Sequence, residues 1–293
     1  MLVLIALLQI GLSSAPGSSA PPPPAGLQTL IEAYPDFLER GERTGSGAGA
    51  GEGAESASST ATAATTASTE APGDVGQWQL VWKDGTRMPW DDAKPKTHEE
   101  KLSDADLEDM MSQTYPAGAV PAGPAVDDDP GRIRNEAFFR KMYGSSPREV
   151  EGRLGPVRWV EGCQRTRLRA TTVNGVNRKL EAVARDIEKL PEESRKLACD
   201  LSGPYTWRKV RKTDRLSTHS FGIAIDVALA RADFWRWNKP DADGRRAWKS
   251  RVPSDLVEAF ERHGFLWGGR WYHFDTMHFE YRPELCPTAG TRL

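Results

Sequence analysis

Ser217-Thr218-His219-Ser220-Phe221-Gly222-Ile223-Ala224-Ile225-Asp226 is the stretch on which the reading of this chain turns. Phe221, Ile223, Ile225, Val227 and Leu229 alternate with small residues or Asp226, the period of two that marks a strand. Side chains of a strand point alternately to opposite faces, and His219 and Asp226 have opposite parity, so one regular strand cannot aim both at a common point. His219 is therefore expected in a turn ahead of the strand, where Ser217, Ser220 and Gly222 permit a bend. Downstream, Asp275-Thr276-Met277-His278-Phe279-Glu280 supplies a second acid and a second histidine. Asp275 and His278 are also out of phase, which puts Asp275 in a loop feeding a final strand.

His219, Asp226 and His278 offer nitrogen and oxygen donors suited to zinc, and three protein ligands leave the fourth tetrahedral position to water, the catalytic arrangement. A His-x6-Asp pair by itself says little, since a histidine beside a strand is more often a hydrogen-bonded structural residue than a ligand. The small residues at fixed places and the acid-histidine pair downstream shift that balance.

Outward from this stretch the pattern is α+β. Residues 157–160 and 168–173 read as strands, and Val176, Leu180, Val183, Ile187 and Leu190 mark one face of a long helix ended by Pro191. Ser254 reads as the N-cap of a helix carrying Leu256, Val257 and Phe260, with Gly264 at its stop. Further upstream, Trp78-Gln-Leu-Val-Trp82 alternates as a strand before the turn signal Lys83-Asp84-Gly85. Leu102, Leu107, Met110 and Met111 suggest one short acidic helix, residues 116–130 a loop, and residues 132–143 another helix. Leu27, Leu30, Ile31, Tyr34, Phe37 and Leu38 recur at helical spacing.

The rest of the N-terminal part is of a different kind. Residues 1–20 carry an apolar run from Leu2 to Leu12, the length of a signal-peptide core and too short for a bilayer, although no positive residue precedes it. Residues 21–26 read as a tether. Residues 44–76 are almost wholly Gly, Ala, Ser, Thr and Glu, a composition that cannot bury enough apolar surface to offset chain entropy, and they are expected to be disordered. The formal net charge is -2 and no Lys/Arg block stands out, which removes nucleic acid as an expected partner. No stable membrane span is expected either. Cys163, Cys199 and Cys286 are too few for a cysteine scaffold. An exported chain could pair two of them, and the sequence does not choose which.

The pattern Ser-x-His-x-x-Gly-x-Ala-x-Asp at 217–226, followed by an acid three residues before a histidine at Asp275 and His278, resembles the VanY-like zinc peptidases. These include D-alanyl-D-alanine carboxypeptidases and L-alanyl-D-glutamate endopeptidases. The resemblance covers about residues 200–286 and is strengthened by Trp267-Gly-Gly-Arg-Trp271-Tyr-His-Phe leading into Asp275. It implies a small antiparallel sheet with flanking helices around a single zinc site, in a peptidase domain over 151–293. Residues 27–43 and 77–150 then form an N-terminal extension, interrupted by 44–76.

On the same resemblance His219, Asp226 and His278 bind one Zn2+ per chain. Asp275 is the general base toward the attacking water, and Arg208 stabilises charge on the oxyanion. Ser217 and Trp271 are expected to contact substrate, and Glu280 to orient a ligand histidine. The implied partners are the stem peptides of peptidoglycan, met after export to the periplasm, the cell wall or the medium. The competing reading is a zinc-containing domain that binds wall or protein without catalysis, for which a retained Asp275 would be superfluous.

Other residues invite plainer readings. His98 is expected to be exposed, His263 to meet a helix C-terminus, and Asp127-Asp128-Asp129 to form a solvated turn. His273 at best lines the cleft. Trp235, Trp237, Trp248 and Trp267 serve equally well as groove or core.

Overall fold

The structure is a computed structural model and describes residues 21–44, 77–116 and 123–286. The expected signal peptide, nearly all of the low-complexity run and part of the 116–130 loop lie outside the described residues. The elements run α1 (Ala25–Ala33), β1 (Leu38–Arg43), β2 (Trp78–Trp82), β3 (Arg87–Pro89), α2 (His98–Ser103) and α3 (Leu107–Met110). They continue with α4 (Glu136–Tyr143), α5 (Pro147–Glu151), β4 (Leu154–Arg158), β5 (Arg167–Thr171), α6 (Val176–Ile187) and α7 (Glu192–Cys199). Last come β6 (Leu201–Ser202), β7 (Ala224–Val227), α8 (Ser254–Glu261), β8 (Phe265–Trp267) and β9 (His278–Tyr281).

The strands form a 3-stranded sheet β1-β2-β3, a 2-stranded sheet β4-β5 and a 4-stranded sheet in the order β6-β7-β9-β8. Every pairing is antiparallel. The fold is thus α+β, with helices beside small antiparallel sheets. Among the described residues no helix is long and apolar enough to cross a membrane.

Several elements differ from the sequence reading, each for a local reason. The strand read from 221 to 229 is only β7, because Phe221 belongs to a 3-10 turn and Ala228 takes a left-handed φ of 55° that ends it. Its alternation is not a buried and an exposed face, since Ile223, Ala224 and Ile225 are all buried. The single acidic helix is two, α2 and α3, each opened by a capping box: Thr97 with Glu100, and Asp106 with Asp109. Helix α8 starts one residue early, with Pro253 and not Ser254 at its N-cap. The amphipathic run at 27–38 divides into α1 and the start of β1.

One apolar core joins the N-terminal elements to the C-terminal ones. It includes Leu27 and Leu30 of α1, Leu80 and Trp82 of β2, Phe138 and Phe139 of α4, Leu180 of α6 and Phe279 of β9. An aromatic row crosses it: Tyr34 to Phe138 at 5.7 Å, Phe138 to Phe139 at 5.5 Å, and Phe139 to Phe221 at 5.9 Å, ending beside His219. The cysteine pairing left open by the sequence is Cys163 with Cys199, a disulfide across 36 residues that ties the turn after β4 to the end of α7. Cys286 remains a buried thiol donating to the Glu261 carbonyl at 3.1 Å. Cys163→Ala is expected to lose about 2–4 kcal/mol of stability through the freed loop. Reversible denaturation of both proteins checks it, and an unchanged midpoint would remove the cross-link from the stability account.

The low-complexity run enters and leaves the sheet at one point. Arg43 pairs with Trp78, and Thr44 N–H donates to Gln77 C=O at 2.9 Å, so the flanks close as the end of a hairpin. Replacing residues 45–76 by a short Asn-Gly turn is expected to preserve the fold. A shorter loop also costs less to close, by about 0.6 kcal/mol per halving. A melting temperature equal to or slightly above that of the full chain is the expected readout, whereas loss of a cooperative transition would mean the run does structural work.

Candidate metal centre

Strands β7 and β9 pair so that Asp226 stands directly opposite His278. Residues opposite one another in an antiparallel pair share a face, which brings carboxylate and imidazole together without any special loop. His219 reaches the same point from the 3-10 turn Thr218–Phe221, as its parity required. That turn depends on Gly222, at φ 69°, where a Cβ would meet Leu154 Cδ2 at 2.8 Å and Thr171 N at 3.1 Å. Ser220 Oγ fixes the turn by accepting from Arg208 N–H at 2.9 Å and donating to Arg208 C=O at 2.8 Å.

Both imidazoles converge on one carboxylate oxygen. Asp226 Oδ1 is 3.1 Å from His219 Nε2 and 3.0 Å from His278 Nδ1. These separations approach the edge of about 3.3 Å expected of a tetrahedron with bonds of 2.0–2.1 Å to zinc. His219 and His278 are buried. Burial works against the Asp226 charge, but the two histidines outweigh it and hold the carboxyl far below its usual range.

The far side of each ring is also engaged. His219 Nδ1 lies 3.3 Å from Gly203 C=O, so that nitrogen can donate and leave Nε2 bare. His278 Nε2 lies 3.0 Å from Glu280 Oε2 and 3.3 Å from Thr218 Oγ1. Glu280 is fully buried, with Arg134 at 3.3 Å and Arg282 at 3.2 Å on its two oxygens. Donor chemistry, convergence and ring orientation all fit a zinc ion held by His219 Nε2, Asp226 Oδ1 and His278 Nδ1.

Asp275 is in the loop before β9. Its Oδ1 is buried and lacks a hydrogen-bond partner. Burial is the main cause that pushes this carboxyl up to about 6, with the Asp226 charge adding to it against the pull of His278 and Arg132. The loop is held by backbone instead: Asp275 N–H donates to Gly268 C=O at 2.9 Å, and His278 N–H to Asp275 C=O at 3.1 Å. Gly268 must be glycine, since a Cβ there would come within 2.6 Å of the Asp275 carbonyl oxygen.

Residues 211–281 match the model of a D-alanyl-D-alanine carboxypeptidase family. The likeness is confined to this part of the chain. No curated protein and no solved structure matches the chain. The matched stretch contains the whole donor set, Asp275 and Glu280, whereas Arg208 lies just ahead of it and Arg134 and Arg282 lie on either side.

The remaining sequence candidates have the following places. Arg208 is exposed, and its backbone braces the His219 turn. Ser217 is buried in that turn, its carbonyl accepting from Ser220 N–H at 2.8 Å. Trp271, expected to contact substrate, is only 2% exposed. Its indole N–H donates to Pro130 C=O and its ring packs 5.7 Å from that of His278, so it backs the metal centre and offers no open face. Trp267 is core as well, while Trp237 is exposed. Sequence reasoning missed Arg132, which stacks over Trp271 at 5.1 Å and whose charge acts on Asp275. It stands in a loop with no motif around it, and only the fold brings it near.

Proposed function

We propose that this chain is an exported zinc peptidase that hydrolyses peptide bonds in peptidoglycan stem peptides. The observation that carries this reading is the convergence of His219, Asp226 and His278, with Asp275 close enough to feel their charges and its Oδ1 buried without a hydrogen-bond partner. The family match over the same residues supports the substrate class, and the Cys163–Cys199 disulfide supports export.

Zinc held by the three donors would supply Lewis acidity and acidify water to a pKa of about 7. Asp275 then accepts the proton of the attacking water on a carboxylate oxygen and returns it to the leaving amine. Glu280 keeps His278 Nε2 engaged, so that Nδ1 is the nitrogen presented to the ion. Arg132, whose charge acts on Asp275, is a cation available to offset charge developing on the cleaved carbonyl, the role that the resemblance implies for Arg208. In the family the chain resembles, aspartate at the base position is common in the endopeptidase branch and glutamate in the carboxypeptidase branch, so Asp275 leans toward cleavage inside the stem, whereas the matching family model is described as a carboxypeptidase.

Mass spectrometry of fragments released from purified peptidoglycan tests activity and bond together. Free D-alanine would assign a carboxypeptidase, new L-alanyl ends an endopeptidase, and no release by the zinc-loaded chain would overturn the peptidase reading. His278→Ala is expected to lose one equivalent of zinc by elemental analysis. Undiminished zinc in that variant would break the ligand assignment.

A further inference from the structure

A second group of the same composition stands apart from this centre. His98 at the start of α2, Asp129 in the loop before α4 and His273 in the loop before β9 bring their ligand atoms within 4.8 Å of one another. His98 Nε2 is 2.8 Å and His273 Nδ1 is 2.6 Å from a single oxygen, Asp129 Oδ2. Two imidazoles again meet one carboxylate oxygen as at Asp226, here at hydrogen-bond spacing, so an ion would part them by about 0.5–0.7 Å to reach a tetrahedral edge of about 3.3 Å. Two of the three residues depart from their local sequence reading. Asp129 is fully buried rather than solvated, His98 is largely covered, and His273 faces Asp129. The group is outside the family's own metal set, since only His273 lies within the matched residues 211–281.

The surroundings are built to aim these donors. Asp129 Oδ1 accepts from His273 N–H at 2.9 Å, which turns Oδ2 toward the two rings. Asp129 N–H is itself held by Gln113 Oε1 at 2.8 Å, and the edge of Trp235 packs 4.4 Å from the His273 ring. The histidine side chains keep 16% and 17% exposure, enough for an ion to enter from solvent. A further carboxylate oxygen, Asp127 Oδ1, lies 4.0 Å from His98 Nε2, near enough to complete a coordination shell with small movement.

We propose that His98, Asp129 and His273 form a second divalent-metal site, taking zinc or another first-row ion that favours imidazole. Two imidazoles with carboxylate suit that class, whereas calcium and magnesium ask for oxygen alone. An ion there joins three segments distant in sequence, and His273 stands two residues before Asp275. The site is a staple that fixes the loop of the proposed base to the N-terminal extension.

The test is metal counting on the full chain, stripped with chelator, reloaded with zinc and dialysed, for four proteins. Wild type is expected to hold two ions, His98→Gln one, His278→Ala one, and the double variant none. His98→Gln retains a hydrogen-bonding side chain, and Asp129→Asn, nearly equal in volume, is expected to give the same count. Circular dichroism checks that each variant is folded. In the His278→Ala chain, added zinc should raise the melting temperature, and His98→Gln in that background should abolish the rise. A His98→Gln protein that binds as much zinc as wild type, with no change in its zinc-dependent melting, would overturn the proposal and leave a hydrogen-bonded cluster only. Failure of the first centre would be distinct, since it would show as undiminished zinc in His278→Ala.

Discussion

Asp275→Asn is expected to slow peptidoglycan hydrolysis by about 10²–10⁴-fold while zinc content stays at the wild-type level. Asparagine preserves the shape of the side chain but cannot accept a proton. The competing explanation, that Asp275 caps the turn into β9, finds no support in the hydrogen bonds. The turn is closed by Asp275 N–H to Gly268 and by the Asp275 carbonyl to His278, and the side chain bonds to neither. Parallel measurement of zinc and turnover separates the outcomes. Full turnover would remove Asp275 from the chemistry, and lost zinc would make it a ligand.

Arg282→Met is expected to destabilise the fold by about 3–5 kcal/mol, the usual cost of breaking a buried ion network by removing one partner. Arg282 is fully buried. It donates to Glu284, to Glu280 at 3.2 Å and to Gly131 C=O at 2.7 Å. Methionine fills much of the volume but leaves Glu284 without its cation and Glu280 with only Arg134 and the His278 ring, both on Oε2. Arg134, Arg282 and His278 outweigh burial and hold the Glu280 pKa well below 4.5. A depressed carboxylate contributes stability above its unfolded pKa and loses that contribution as pH falls. The gap between wild type and variant should therefore narrow below about pH 4.5. Urea titrations at neutral and acid pH read both effects. A loss under about 1 kcal/mol at neutral pH would show that Arg134 suffices.

How much of this was legible in the sequence depends on how local each relation is. The turn at His219 and the loop at Asp275 followed from parity, because the period of a strand constrains neighbours a few residues apart. The true length of β7 did not, because Ile225 and Val227 on one face and Ala224 on the other are all buried, and apolar residues go on alternating past the point where Ala228 breaks the strand. The disulfide joins residues 36 apart, and Asp129 meets His273 across 144 residues. No local pattern announces such pairs. His98 reads as a polar residue in a charged stretch, and only the packing of α2 against the 129 and 273 loops gives it partners. Arg132 and Arg282 were missed for the same reason.

The strand order β6-β7-β9-β8 also bears on how the centre comes into being. Strand β9, which carries His278, follows β7 and β8 in the chain yet lies between them. While the chain is being made, β7 and β8 emerge with no strand to join them, and His219 and Asp226 have no second histidine. Insertion of β9 completes the sheet and the donor set in a single event. A chain cut before residue 278 would therefore lose the ion and the middle of its sheet together. If the proposed function holds, a chain assembled in this order has no partly made form able to act on its substrate.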